Sequence, residues 1–349
     1  MRTLIVRLDS AGDVLLAGPA VRAAAASSSH VTFLCGPQGA AAARLLPGVD
    51  RVIVWEAPWV GLEPPPVRPA DIETLVEALA VEYVDKALVL TSFHQSPLPT
   101  ALVLRLAGIG WIGADSVDYP GSLLDLRHQR APHRHEADAA LDLAQAAGFA
   151  LRADDTGGLA ILPPPDVTAL TGSTPYVVVH PGAAVPARAP SLDTAVELTT
   201  ALQERHRVLL TGGPDETALT AAIARRTGAE DLGGRTGLHG LAGILAGADA
   251  VVVGNTGPAH LAAAVGTPVV SLFAPVVPAE RWAPYGVPSV LLGDQHALCA
   301  ETRARTCPVP GHPCLSSIRG TDVATAVDSL VAGVKQRPTT PLTTREVIA

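Results

Sequence analysis

The sequence predicts an α/β protein of two domains, each with helices packed on a parallel β-sheet. First, 349 residues are too many for one ordinary hydrophobic core. Second, short β-branched runs alternate with apolar helical stretches, and glycine-bearing turns separate them. Third, a run of prolines at 163–165 interrupts this alternation near the middle of the chain. Alternating strands and helices build parallel sheets, and a stiff proline run marks a domain boundary.

The first domain is expected at residues 1–162 and begins with a strand, a turn and an apolar helix. The strand is Arg2 to Leu8, the turn is Asp9 to Asp13, and the helix is Val14 to Ala26, with Pro19 early in it. Further strands are predicted at 31–35, 51–55, 87–90 and around Trp111, and further helices at 38–46, 71–82, 97–107 and 136–147. A proline-rich surface loop is expected at 58–69.

The second domain is expected at 176–335, after a proline-rich linker at 163–175, and a frayed tail is expected at 336–349. Its predicted strands are 176–180 and 208–210, and its predicted helices are 191–204, 218–226 and 321–334. The strand at 208–210 ends in a glycine-bearing turn, TGGPDE, at 211–216. This turn precedes a helix, as the turn after Leu8 does.

The stretch VVVGNTGPAHLAAAVGTPVVSLF at 251–273 reads as strand, turn, helix, turn, strand. Asn255 or Thr256 can cap the helix, and Pro258 falls in its first turn, where a missing N–H costs nothing. Gly266 ends the helix. Small residues at such a helix start leave backbone N–H groups exposed at the positive end of the dipole, which suits a phosphate or diphosphate. Similar turns also occur in α/β units that bind nothing, so the turn alone leaves both interpretations open.

The order GNTGPAHLAAA, followed by GTP, resembles the signature of glycosyltransferase family 9, the heptosyltransferases. Thr256, Gly257 and His260 match that signature, whereas Asn255 stands where the family usually has aspartate. The similarity covers most of 1–335 and is strongest at 9–19, 176–184 and 208–282. It implies a GT-B fold, in which two Rossmann-like domains face each other and the final helix often crosses back to the first domain. It also implies metal-independent, inverting sugar transfer from a nucleotide-sugar, typically ADP-heptose.

The resemblance gives Asp13 the role of catalytic base, because RLDSAGDVLLAGPAV resembles the family's N-terminal motif, with Gly12, Asp13 and Pro19 matching. Ser10 and Gly12 then lie on the acceptor or phosphate side. From the residues alone, a helix cap is the preferred interpretation of Asp13. The basic stretch RHQRAPHRH at 127–135 is interpreted as a solvated loop, with contact to the acceptor or another anionic group as the alternative.

Donor binding is expected in the second domain. Arg188, in PARAP, takes the place of the family's phosphate-binding lysine, in a loop that lacks the family's tryptophan. Asp215 matches the acidic residue that holds the ribose, with an N-cap as an equal alternative. Two roles are considered for Arg235, phosphate binding and a structural ion pair, and the sequence does not choose between them. The expected donor-binding residues are Arg188, Gly212, Gly213, Asp215, Asn255, Thr256, Gly257, Pro258 and His260.

Composition limits the partners. A formal net charge of −8 argues against nucleic acid, and lysine is nearly absent, so a phosphate clamp is expected to be arginine. No Asp-x-Asp pair stands at a strand end, so neither a metal nor a cofactor is expected. With no 18-residue apolar run and no signal peptide, a cytoplasmic location is expected, and peripheral membrane association stays open. Cys299, Cys307 and Cys314 are expected to be packed thiols or to form one local disulfide, with zinc as the alternative.

Three rival functions are considered. One is another GT-B enzyme, such as a sugar-nucleotide 2-epimerase, which would need acid/base residues deep in the donor pocket. A nicotinamide-dependent oxidoreductase is disfavoured, because the first turn lacks G-x-G-x-x-G. A catalytically inactive nucleotide-sugar-binding protein stays open because of Asn255 and the missing tryptophan.

Overall fold

The computed structural model describes residues 1–61 and 63–335, and the first half of the chain forms a six-stranded parallel sheet. Its order is β3-β2-β1-β4-β5-β6, so the first strand is central; Val6 pairs with Leu34 on one side and Val89 on the other. The strands are β1 (Arg2–Arg7), β2 (His30–Cys35), β3 (Arg51–Val54), β4 (Lys86–Val89), β5 (Ile112–Asp115) and β6 (Leu126–His128).

Six helices cover the faces and ends of this sheet. They are α1 (Ala11–Leu16), α2 (Gly18–Ala25), α3 (Ala40–Ala43), α4 (Pro69–Ala80), α5 (Leu98–Leu106) and α6 (Glu136–Ala146). The single helix predicted at 14–26 is two helices that meet at Ala17. Pro19 is the physical reason, because its ring removes an N–H and is tolerated only in the first turn of a helix, here that of α2.

The second half of the chain repeats this architecture. Its sheet has the order β12-β11-β10-β7-β8-β9, all parallel, and again the first strand of the set, β7, is central. The strands are β7 (Val177–His180), β8 (Val208–Leu210), β9 (Glu230–Asp231), β10 (Ala250–Gly254), β11 (Val269–Leu272) and β12 (Ser289–Leu292). The helices are α7 (Thr168–Thr171), α8 (Leu192–Gln203), α9 (Thr217–Thr227), α10 (Leu238–Ala246), α11 (Gly257–Ala264), α12 (Ala279–Trp282), α13 (Pro313–Ser316) and α14 (Gly320–Lys335). The two doubly wound sheets confirm the predicted fold class.

The predicted linker contains local structure, and the last described helix packs on the second sheet. Residues 163–175 include α7, and the carbonyl oxygen of Pro163 lies 3.2 Å from His239 Nε2 on α10, so this segment is packed rather than merely extended. The buried face of α14 packs on α8 and into the core of the second sheet, instead of crossing to the first domain. The tail predicted at 336–349 lies outside the described residues. Within the described part of the chain, no helix is both long and apolar enough to span a bilayer.

Candidate active site

Helices α1 and α11, which follow the central strand β1 and strand β10, meet across a cleft between the two sheets. A Cβ atom at Gly12 would lie 3.0 Å from Cδ2 of His260 and 3.2 Å from the Cα of Gly257. A side chain at position 12 would therefore require these neighbours to move by a few tenths of an ångström. This close approach places Asp13 and His260, one from each half of the chain, in the same cleft.

Asp13 presents an anchored carboxylate to this cleft. Oδ1 accepts hydrogen bonds from Arg7 Nη2 at 3.0 Å and from Trp282 Nε1 at 3.4 Å, and Oδ2 accepts one from Ser10 Oγ at 2.9 Å. Burial alone would raise the pKa of Asp13, but Arg7 and these hydrogen bonds outweigh it, so its pKa lies below the ordinary value. Ser10, not Asp13, occupies the N-cap of α1. Asp13 is therefore ionised at neutral pH, and its side-chain bonds are those of a positioned carboxylate.

A buried arginine in the middle of the first sheet organises the groups around Asp13. Arg7 Nε lies 2.8 Å from Asp9 Oδ2, and Nη1 lies 3.5 Å from Glu136 Oε2; Nη2 also donates to Ser92 Oγ at 2.7 Å. Burial raises the pKa of both Asp9 and Glu136, whereas that of Asp13 is lowered. Environments that separate the pKa values of neighbouring carboxyl groups are typical of acid/base sites. Sequence reasoning missed Arg7, because it reads as an ordinary strand residue.

The start of α11 and the turn before α8 contribute buried polar atoms that have no hydrogen-bond partner. They are Thr256 Oγ1, His260 Nδ1 and Arg188 Nε. Thr256 is the N-cap of α11, but its side chain makes no capping bond. Buried polar groups are nearly always paired, so a group of unpaired ones at a helix N-terminus indicates a site for an anionic ligand.

The electrostatics of Arg188 and His260 support this interpretation. Burial lowers the pKa of Arg188. The charge of Asp13 acts in the opposite direction, and the charge of the neighbouring Arg303 lowers this pKa further. Arg188 has no carboxylate partner among residues 1–61 and 63–335. Burial lowers the pKa of His260 to about 4, so the imidazole is neutral at neutral pH. The cleft thus holds the Arg188 guanidinium, which has no carboxylate partner among the described residues, beside a neutral imidazole ring.

Asn255 and Pro258 have structural positions around this helix start. The Asn255 amide donates to the carbonyl oxygen of Ala274 and accepts from the Ala274 N–H, both at 3.2 Å. Its side chain therefore ties the end of β10 to the loop after β11. Pro258 lies in the first turn of α11, as predicted. Gly254 passes so close to the Arg188 carbonyl oxygen, 2.5 Å from its ideal Cβ, that only glycine fits.

The acidic residue that faces inward at the second glycine turn is Glu216, not Asp215. Glu216 Oε2 accepts from the Gly213 N–H at 2.7 Å and lies 3.4 Å from His180 Nε2. A Cβ at Gly182 would lie 1.9 Å from Glu216 Oε1, so this carboxylate covers the loop after β7. Asp215 is exposed. The one-residue difference follows from the short 3₁₀ turn Pro214–Glu216, which the sequence analysis did not predict.

Aromatic rings line the cleft beside Asp13, and the sequence analysis did not assign them a role. The ring centroids of Phe93 and Trp282 are 5.9 Å apart, and Arg281 stacks over the Phe93 ring at 4.5 Å. Trp282 comes from the second half of the chain and Phe93 from the first. Their contact joins the two halves of the chain beside Asp13.

The basic stretch at 127–135 is not the solvated loop that was expected. Arg130 donates to Asp115 Oδ2 at 3.0 Å and to Glu136 Oε1 at 2.8 Å. Arg134 pairs with Asp142 at 2.7 Å, and His135 Nε2 lies 3.0 Å from the carbonyl oxygen of Ala283. The acidic partners are distant in sequence or lie on the following helix. The stretch itself contains no acidic run, so its ion pairs could not be predicted from the local sequence.

The late cysteines are free thiols, and Cys299 and Cys314 are buried, so these two are packed thiols, the first of the two expected alternatives. Burial, with the neighbouring thiols, raises the pKa of Cys314 to about 12. Within 1–61 and 63–335, no three or more His, Cys, Asp or Glu side chains are grouped so that they could hold a metal ion.

Several solved structures share this fold. A glycosyltransferase family 9 protein from Veillonella parvula superposes with a TM-score of 0.75 at 16% identity, over 95% of this chain and 97% of that one. The ADP-heptose lipopolysaccharide heptosyltransferase II of E. coli gives 0.72 at 19% identity, over 96% and 100%. The E. coli heptosyltransferase WaaC with ADP gives 0.67 at 22%, over 94% and 97%. The architecture is therefore the GT-B fold.

The family follows from the sequence match. The model described as "Glycosyltransferase family 9 (heptosyltransferase)" matches residues 74–312, and the chain belongs to this family of glycosyltransferases. A local stretch of 73 residues is 45% identical to lipopolysaccharide heptosyltransferase 1 of Pseudomonas aeruginosa. That stretch covers 21% of this chain and 20% of that relative, so the chain spans about a fifth of the length of the curated relative it matches.

Proposed function

We propose that this protein transfers a sugar from a nucleoside-diphosphate sugar to a hydroxyl group, with inversion and without a metal ion. The observation that supports it best is the opposition of two kinds of group across one cleft. An ionised, anchored Asp13 lies on one wall, and the unpaired Thr256, His260 and Arg188 lie on the other. A base for the acceptor and an anion site for the leaving group are the two parts that such a reaction needs.

In the proposed reaction, the acceptor oxygen attacks the anomeric carbon from the side opposite the diphosphate. The new C–O bond forms as the bond between the anomeric carbon and the phosphate oxygen breaks, and that electron pair leaves with the diphosphate. The acceptor proton passes to the carboxylate of Asp13 as the hydroxyl becomes acidic during attack. Attack from the opposite face inverts the anomeric configuration.

The diphosphate is assigned to the N-terminus of α11, where backbone N–H groups, Thr256 and Arg188 can donate to it. Arg188, at the end of the turn Pro186–Arg188, supplies the positive charge that a divalent metal supplies in other transferases. This charge, the N–H groups at the helix start and the lack of an Asp-x-Asp pair in the sequence favour metal-independent transfer. No other cofactor is required.

The nucleoside is assigned to the ends of β7 and β8. Glu216, rather than Asp215, is proposed to accept the two ribose hydroxyls, because it faces the loop after β7 and its Oε1 stays available beside Gly182. Gly212 and Gly213 let the backbone approach the sugar. ADP-heptose is the proposed donor, since related structures carry ADP-heptose in their names and one is bound to ADP.

Release of the free nucleotide from candidate nucleotide-sugars, with and without acceptor, tests the proposal. ADP-heptose should give ADP faster than UDP-, GDP- or dTDP-sugars do, and acceptor should accelerate release. An epimerase would release nucleotide or change the sugar without acceptor, and an inactive binding protein would bind ADP without turnover. Either result would contradict the transferase assignment.

A further inference from the structure

The first half of the chain contains a cavity of about 320 Å³ that no donor group uses. It opens at the carboxyl ends of β1 and β4, at Leu8 and Leu90, and Trp59 and Val60 of the proline-rich loop cover it. Pro99, at the start of α5, forms another wall. Its size lies at the lower end of the range for small-molecule pockets.

The cavity adjoins the proposed catalytic base. Gln95, in its lining, donates to Asp9, and Asp9 is paired with the same Arg7 guanidinium that holds Asp13. His94, also in the lining, is close enough to Asp13 and Arg7 for their charges to act on its pKa. The cavity is therefore linked to the proposed base through Gln95, Asp9 and Arg7.

Much of the polar lining is already committed to the protein itself. Gln95 donates to Asp9 and accepts from the Ser92 N–H at 3.0 Å, so both ends of its amide are used. The Thr100 hydroxyl accepts from Trp59 Nε1 at 3.1 Å. The remaining walls combine Val, Leu, Pro and the Trp59 ring with Thr91, His94 and Ser96. The apolar walls favour a ligand with an apolar body over a bare sugar, which carries a hydroxyl on nearly every carbon.

One cation reaches into this cavity from the second half of the chain. Arg303 has a left-handed backbone, with φ of 56°, and its N–H donates to the carbonyl oxygen of Val276 at 2.8 Å. Its guanidinium makes no hydrogen bond or ion pair with any residue in 1–61 or 63–335. Desolvation in the cleft and the charge of Arg303 hold the pKa of His94 well below its ordinary value. The cavity thus ends in one positive charge beside a neutral ring.

The charge of the first domain disfavours a polyanionic ligand. Residues 1–162 hold 12 Lys and Arg against 18 Asp and Glu. Several of its arginines, such as Arg7, Arg22 and Arg130, already form buried ion pairs with carboxylates of the protein. One uncompensated charge matches one anionic group, whereas several phosphates would meet a negative surface.

We propose that this cavity binds the acceptor, and that the acceptor is a compact apolar alcohol or phenol with a single anionic group held by Arg303. The proposal rests on the proposed function, since it names the acceptor class for the same cleft. The apolar body packs on Trp59 and Leu8, and the reacting hydroxyl points to Asp13. Arg303 closes the cavity from the donor side, so the acceptor site is complete only when both halves of the chain contribute.

Calorimetric titration of the full-length protein tests this without turnover. The probes are 6-hydroxy-2-naphthoate, its uncharged analogue 2-naphthol, and glucose 6-phosphate, each titrated into protein saturated with ADP. We expect saturable naphthoate binding that exceeds binding of glucose 6-phosphate. Arg303→Gln should weaken naphthoate binding about tenfold or more and leave 2-naphthol unchanged, because only the charge-assisted bonds are lost. Trp59→Leu should weaken both naphthalene probes.

Arg319→Gln is the matched control, since Arg319 is an exposed arginine of the second domain that pairs with Asp322. It should leave all three probes unaffected. Tighter binding of glucose 6-phosphate than of the naphthoate, or naphthoate affinity that Arg303→Gln does not change, would overturn the proposal. A loss of ADP affinity in Arg303→Gln would assign that arginine to the donor diphosphate instead. Naphthoate binding without any ADP release from ADP-heptose would count against the proposed donor and leave the cavity assignment standing.

Discussion

Replacing Asp13 with asparagine separates its proposed chemical role from its structural one. Asparagine keeps the size of the side chain, and its carbonyl oxygen can still accept from Arg7, Ser10 or Trp282. It cannot take a proton from the acceptor. We therefore expect Asp13→Asn to fold and to bind ADP normally, and to lose roughly 10²–10⁴ in turnover, the usual contribution of a general base.

The structure indicates why the fold should survive. Arg7 keeps Asp9 at 2.8 Å and Glu136 at 3.5 Å after the change, so the buried guanidinium is not left without a counter-charge. The negative charge of Asp13 also raises the pKa of both Asp9 and Glu136. Its removal eases that repulsion and favours the ionised forms of these two partners, which offsets part of the lost ion pair.

The assay is ADP release with saturating donor and acceptor, together with thermal unfolding and ADP titration of each variant. Asp9→Asn is the matched comparison, because it also removes one carboxylate from Arg7 but does not face the reacting atoms; it should cost much less turnover. Since the pKa of Asp13 lies below its ordinary value of 3.8, wild-type activity should show no loss from this group between pH 8 and 5. A stable Asp13→Asn protein with activity within a few-fold of wild type would refute the assignment.

Three further predictions follow from the second wall of the cleft. Arg188→Ala should weaken ADP binding and slow turnover about tenfold to a hundredfold, the range for a charge-assisted hydrogen bond to phosphate; unchanged ADP affinity and rate would show that Arg188 does not reach the diphosphate. Turnover should survive EDTA, and a complete loss that magnesium restores would contradict metal-independent transfer. Buried His260, with its pKa lowered to about 4, binds a proton less readily than in the unfolded chain, so it should cost about 2 kcal/mol of stability at pH 5 relative to pH 7. Urea unfolding at pH 7 and pH 5 measures this loss of unfolding free energy, which should be smaller by that amount in His260→Asn than in the wild type. An equal loss in both proteins would show that the imidazole is protonated in the folded protein at pH 5.

The sequence alone was enough to predict the fold class and the start of the anion site. Buried strands such as 208–210 are continuous apolar runs, and their glycine turns and helix starts follow from local backbone chemistry. The family signature at 254–260 likewise lies in one short segment. The sequence analysis did not predict the polar strands Glu230–Asp231 and Leu126–His128. They are edge strands, and their pairing with a neighbouring strand, rather than an apolar composition, makes them strands.

The remaining features of the cleft come from residues far apart in the chain. Asp13 is linked to Trp282, and Arg7 to Ser92 and Glu136, across separations that no local pattern encodes. A single 3₁₀ turn decides that Glu216, rather than Asp215, faces inward. The ion pairs of the 127–135 stretch depend on packing against β5 and α6. Sequence determined which elements form, because hydrogen bonding and apolar periodicity are local. The tertiary structure decided which charges are paired and which are left facing the cleft, because Coulomb interactions and burial depend on distance in space rather than along the chain.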